Sequence, residues 1–79
     1  MMRKLVKTES FAVENRRYPV RYFELSTPSG LRRFSAEILL GPGDRVILDG
    51  DSMVNLEVRA TRLVPATLYS RLLARAHAA

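Results

Sequence analysis

The sequence predicts a mainly β, α+β fold: a small five-stranded antiparallel meander or partly open barrel carrying one C-terminal α-helix. Three observations predict it. Turn signals recur at short intervals, at Glu14-Asn15-Arg16, Thr27-Pro28-Ser29-Gly30, Gly41-Pro42-Gly43-Asp44 and Asp49-Gly50-Asp51-Ser52. Between them apolar and polar residues alternate, as they do along a half-buried strand. After Val64 the apolar spacing lengthens from two residues to four. The 79 residues, 47% hydrophobic and 27% charged, suit one domain spanning 1–79 and not a disordered chain. Cysteine is absent from the sequence, so apolar burial has to stabilise that domain without disulfides.

The first strand, Lys4 to Val13, is irregular: Leu5, Val6, Phe11 and Val13 do not share one parity, and a bulge would restore the register. Tyr18 to Ser26 is strand-prone through Tyr18, Val20, Tyr22 and Phe23, with Pro19 confined to its start or an edge. Phe34, Ala36, Ile38 and Leu40 alternate with Arg33, Ser35 and Glu37 in a third strand. Arg45 to Asp49 is a short apolar run between turns, the fourth. Val54, Leu56, Val58 and Ala60, set against Asn55, Glu57, Arg59 and Thr61, supply the fifth. A helix over about 65–77 follows, with Pro65 at its first position and Leu68, Leu72 and Ala76 at four-residue spacing. The expected core is Phe34, Ile38, Leu40, Val46, Leu48, Val54, Leu56, Val58, Leu68 and Leu72. Leu39, Ile47, Tyr22 and Met53 fall on the opposite parity and suggest a second apolar face, covered by the helix or by another copy of the chain.

Charge is distributed in blocks. Residues 1–33 hold eight cations against three carboxylates, 34–58 one against five, and 59–79 four against none, for a net charge of +5. That pattern fits either neutralisation between neighbouring strands or a basic face that meets a polyanion. Arginine outnumbers lysine 11 to 2, and guanidinium is the better fork for phosphate, although a GC-rich coding sequence gives the same ratio.

Most site chemistries find no support. His77, the sole imidazole, stands three residues from the end, a poor place for a preorganised base. Asp44, Asp49, Asp51 and Glu57 are the carboxylates available for acid/base work, and the three aspartates sit in ordinary turn sequences. Asp49-Gly50-Asp51 begins like a calcium loop, but Met53 takes the next ligand position. Gly41-Pro42-Gly43 lacks the Gly-Lys-Ser/Thr ending of a phosphate cradle. No enzyme, metal or cofactor is expected. Met1 to Lys7 does not lead into a secretory core, and no run reaches the roughly 18 apolar residues of a membrane span, so a cytoplasmic protein with no membrane partner is expected.

The informative stretch is Asn15-Arg16-Arg17-Tyr18-Pro19-Val20-Arg21-Tyr22-Phe23, where cationic forks and aromatic rings interleave; Arg32 and Arg33 lie across the hairpin. Phosphate contact combined with base stacking uses this mixture. The candidate ligand-binding set is Arg16, Arg17, Arg21, Tyr22, Arg32 and Arg33, and the competing reading is that the aromatics are core and the arginines a solvated rim. Within the stretch, Arg17-Tyr18-Pro19-Val20-Arg21 has an R-x-x-x-R spacing that resembles the nucleotide-binding arm of PilZ domains. The resemblance implies a small barrel binding cyclic di-guanylate through Arg17 and Arg21, although the Asp/Asn-x-Ser-x-x-Gly element of those domains has no counterpart here. The leading expectation is a non-enzymatic basic module that contacts nucleic acid or another polyanion. The alternatives are a protein-interaction or homo-oligomeric assembly module, and a degenerate PilZ-like sensor.

Overall fold

The computed structural model describes the backbone of residues 2–78 and the side chains of residues 2–76. Among these residues the strands β1 (Met2–Val13), β2 (Arg16–Ser26), β3 (Arg32–Gly41) and β4 (Asp44–Gly50) are followed by one helix, α1 (Met53–Ala78). The strands form one antiparallel sheet in the order β1-β2-β3-β4.

Each connection has a local cause. Glu14 and Asn15 both adopt positive φ, 49° and 67°, which is the twist-matched geometry of a two-residue hairpin between the paired Val13 and Arg16. The Thr27–Gly30 turn closes through the Gly30 amide donating to the Thr27 carbonyl, and the Thr27 hydroxyl oxygen accepts from the Leu31 amide. Pro42-Gly43 makes the third turn, with Gly43 at φ 68° after a proline that presets the preceding residue. The irregularity of β1 is a bulge: the pairing shifts between Leu5 and Lys7. Beyond it Lys7, Glu9, Phe11 and Val13 all point to the helix side of the sheet, and before it Arg3 and Leu5 point to the other.

Two expectations are corrected here. Among the described residues there are four strands and not five, and they form an open antiparallel meander, so the partly open barrel offered as its alternative, and implied by the PilZ resemblance, does not form. The segment Val54–Thr61 is the first half of α1, which begins at Met53 and not near 65. Alternating apolar residues at 54, 56, 58 and 60 also contain the four-residue spacing Leu56, Ala60, Val64, and that spacing is the buried one. Ser52 caps the helix: its hydroxyl accepts from the Asn55 amide and its carbonyl from the Leu56 amide. Pro65 lies inside the helix, where it removes the bond to the exposed Thr61.

The core is the layer between α1 and one sheet face. Val20, Tyr22, Ala36, Ile38, Leu56, Ala60 and Val64 are its buried centre, with Phe11, Val13, Phe34, Leu40, Val46, Leu48, Met53, Leu63 and Leu68 packed around it. Phe34, Ile38, Leu40, Val46, Leu48, Leu56 and Leu68 thus belong to the core as expected. Val54, Val58 and Leu72 do not; all three are exposed on α1. Tyr22, expected on a second face, is fully buried in the first. Among the described residues no helix is long and apolar enough to cross a membrane.

Candidate polyanion-binding face

Cross-strand partners project to the same side of a sheet, so the register decides which charges meet. On the face away from α1, Arg3 and Arg33 flank Leu25 in one row, because Arg3 pairs with Leu25 and Leu25 with Arg33. The next row is Leu5, Phe23, Ser35 and Asp49, and the one after it Thr8, Arg21, Glu37 and Ile47. Arg45 pairs with Leu39, and Arg17 with Ala12 nearer the β1–β2 turn. Five arginines therefore share this face with two carboxylates, Glu37 and Asp49.

The centre of the face is built around Glu37. Its side chain is only 3% exposed, although no helix covers it. It accepts hydrogen bonds from Arg21 and, at 3.3 Å, from Arg45. The Arg21 bond, helped by the charges of Arg21, Arg45 and Arg3 and opposed by burial, holds the Glu37 carboxyl below the usual carboxylate range. Beside it the Arg3 guanidinium lies over the Phe23 ring, 4.0 Å from the centroid, with Arg21 at 5.9 Å. Phe23 is 7% exposed as a result, and the flat Arg3 cation forms the outer layer of that stack.

Of the six site residues expected from sequence, Arg17, Arg21 and Arg33 lie on this face, Arg17 towards its β1–β2 end and Arg33 at the opposite end. Arg16 and Arg32 do not: Arg16 pairs with Val13 and Arg32 with Ser26, so both point to the helix side. Arg32 lies 3.1 Å from Glu24 there. Tyr22 is fully buried, its hydroxyl donating to Glu9 at 3.3 Å, with the Lys7 ammonium 5.3 Å from its ring. Burial, reinforced by the Glu9 charge, pushes the Tyr22 hydroxyl up to about 12. Arg3, Arg45 and Phe23 are the members that the sequence reading missed.

Of the carboxylates available for acid/base work, Glu57 and Asp44 are held in ion pairs. Glu57 pairs with Lys7, and Lys7 with Glu9 at 2.7 Å; the two carboxylates push the Lys7 ammonium well above its ordinary value. Asp44 accepts both arms of the Arg71 fork at 2.7 Å, which holds its carboxyl low and ties α1 to the β3–β4 turn. Asp49 and Asp51 are exposed. Among the described residues no group of three or more metal-ligating side chains assembles, and the His77 side chain lies outside the described residues. A cleft of about 570 Å³ opens on the helix side, between the β1–β2 turn and the C-terminal half of α1, lined by Val13, Tyr18, Leu40, Leu68 and Leu72 among others.

Compared with family models, curated proteins and solved structures, the chain matches none.

Proposed function

We propose that this chain is a non-enzymatic binding module whose helix-free sheet face contacts single-stranded nucleic acid. The observation that supports this reading most is that strand register places Arg3, Arg17, Arg21, Arg33 and Arg45 on one face, with Arg3 and Arg21 against the Phe23 ring. Guanidinium forks contact phosphates, and the Arg3–Phe23 stack offers a planar surface on which an unpaired base can lie. Arg17 and Arg33 engage no carboxylate among the described residues, so they meet a phosphate without first losing an internal partner. The acidic residues Glu37, Asp44 and Glu57 are each matched to cations, which leaves the excess positive charge to the flanking arginines.

The test is a salt series of binding to a labelled mixed-sequence single strand. Three to five phosphate contacts give a log–log slope of about −2 to −3.5, from roughly −0.7 per contact. Substituting Arg17→Ala and Arg33→Ala together flattens the slope by about 1.4. The helix-side pair Arg16→Ala and Arg32→Ala leaves it unchanged. Absence of binding at low ionic strength, or equal loss from both pairs, refutes the reading. A sulfated polysaccharide of matched charge separates phosphate contact from stacking: equal affinity for it removes the base-stacking role of Phe23.

A further inference from the structure

The sheet splits at one end. Pairing between β2 and β3 runs from Ser26 and Arg32 to Val20 and Ile38 and stops there, while β1–β2 pairing continues to Val13 and Arg16 and β3–β4 pairing to Gly41 and Asp44. Pro19, the next residue of β2, has no amide hydrogen to extend the ladder. The two hairpin ends therefore stand apart as prongs, and Arg17, Pro19 and Leu39 border the gap on the helix-free side. On the other side the C-terminal half of α1 lies across the gap and completes the cleft of about 570 Å³. Among the described residues α1 is fastened to one prong only, through the Arg71 guanidinium on Asp44. Val13 and Tyr18 of the other prong, Leu40 of β3, and Leu68 and Leu72 of α1 supply apolar walls, and none of these five side chains is fully buried.

The charged side chains that line this cleft are Glu14, Arg16, Asp44, Arg71 and Arg75. Arg71 and Asp44 neutralise each other. Arg16 and Arg75 engage no carboxylate among the described residues, and Glu14, exposed in the β1–β2 turn, is the one acid set against them. The balance is a single positive charge. Small-molecule sites of about 300–1,000 Å³ are mostly apolar with a few polar groups that fix orientation, and this cleft has that size and that make-up. We propose that it binds an amphipathic monocarboxylate, with the aliphatic tail between Tyr18, Leu40, Leu68 and Leu72 and the carboxylate at Arg16 and Arg75. The charge balance selects the head group. One negative charge completes it, whereas a phosphate dianion brings an excess past Glu14, and a cationic amphiphile meets guanidiniums. A nucleic-acid strand carries a charge on every nucleotide and finds no row of cations here. From Leu68 to Arg75 the helix rises about 10 Å at 1.5 Å per residue, the reach of a medium-chain tail. The site lies across the sheet from Phe23 and is independent of the nucleic-acid reading.

The experiment is a resonance titration of the natural chain with decanoate below its micelle concentration, with octanoate, decanol and decyltrimethylammonium for comparison. Decanoate is expected to bind saturably and to shift the side chains of Tyr18, Leu40, Leu68 and Leu72, while Phe23 on the far face stays unmoved. Octanoate, two methylenes shorter, is expected to bind about tenfold more weakly. Decanol is expected to bind about three- to tenfold more weakly than decanoate, and the cation more weakly still. Arg16→Ala with Arg75→Ala lowers decanoate to the level of decanol and leaves decanol unchanged, a split that general damage to the fold would not produce. Leu72→Glu, at a position 53% exposed, abolishes binding with the far-ultraviolet circular dichroism retained, and Arg32→Ala, at the other end of the sheet, changes nothing. Decanoate that does not saturate, a decyl cation that binds as tightly, shifts centred outside the cleft, or full affinity in the Arg16 and Arg75 double variant overturns the proposal.

Discussion

Substituting Glu37→Gln sets stability against binding. Glu37 is the internal anion of the arginine face, shared by Arg21 and Arg45. Removing its charge leaves two guanidiniums without a counterion at the centre of the sheet. Breaking a fully buried pair costs about 3–5 kcal/mol, but Arg21 and Arg45 are themselves 44% and 62% exposed and water screens them, so a loss of about 1–2 kcal/mol is expected. Because the folded-state carboxyl is held low, its contribution is present above the ordinary carboxylate range and disappears as pH falls through the lowered value. The acid limb of the stability profile is therefore shallower in the variant. Binding moves the other way. Two guanidiniums become available to phosphates, steepening the salt slope by about 1.4 and raising affinity at low salt. Urea denaturation at several pH values and anisotropy titrations over a salt series read both quantities on the same protein. A variant that loses stability but keeps its slope and affinity unchanged shows that Arg21 and Arg45 do not contact the ligand, and refutes the reasoning.

Other substitutions test the frame that positions this face. Tyr22→Phe removes a buried hydroxyl whose pKa is raised to about 12, so the native protein loses stability between pH 10 and about 12 as the unfolded chain ionises first, and thermal melts over that range show a smaller loss in the variant. Asp44→Asn breaks the fork that ties Arg71 to the β3–β4 turn; amide exchange in the C-terminal half of α1 quickens at neutral pH, and the difference from the natural chain shrinks as acid protonates Asp44. Leu56→Ala truncates the largest fully buried side chain that α1 gives the core and costs about 2–5 kcal/mol in denaturant unfolding.

Much of the sheet was legible because parity is a local property. Phe34, Ile38 and Leu40 on one side and Arg33, Ser35 and Glu37 on the other follow from alternation alone, and so does the common side of Arg17 and Arg21. By the same rule Arg16 and Arg32 had to point the other way, and grouping them with Arg17 and Arg33 joined residues that adjacent positions on a strand keep apart. Arg45 was readable too, as the outward neighbour of Val46. Arg3 was not: without a bulge between Leu5 and Lys7 it would share the side of Phe11 and Val13, and no feature of the residues fixes where the extra one is inserted. The reversal at Val54–Thr61 came from a segment whose period-two pattern contains a period-four one. The Ser52 cap was the signal that could have decided between them.

The most direct test is a backbone and side-chain resonance titration of the protein with a short single-stranded oligonucleotide at low ionic strength. The predicted result is a set of shifts confined to the helix-free face: the guanidinium resonances of Arg3, Arg17, Arg21, Arg33 and Arg45 and the ring of Phe23, with α1 and the Arg16 and Arg32 side chains unmoved. Shifts that instead gather in the cleft between Tyr18 and Leu72, or along α1, would contradict the account.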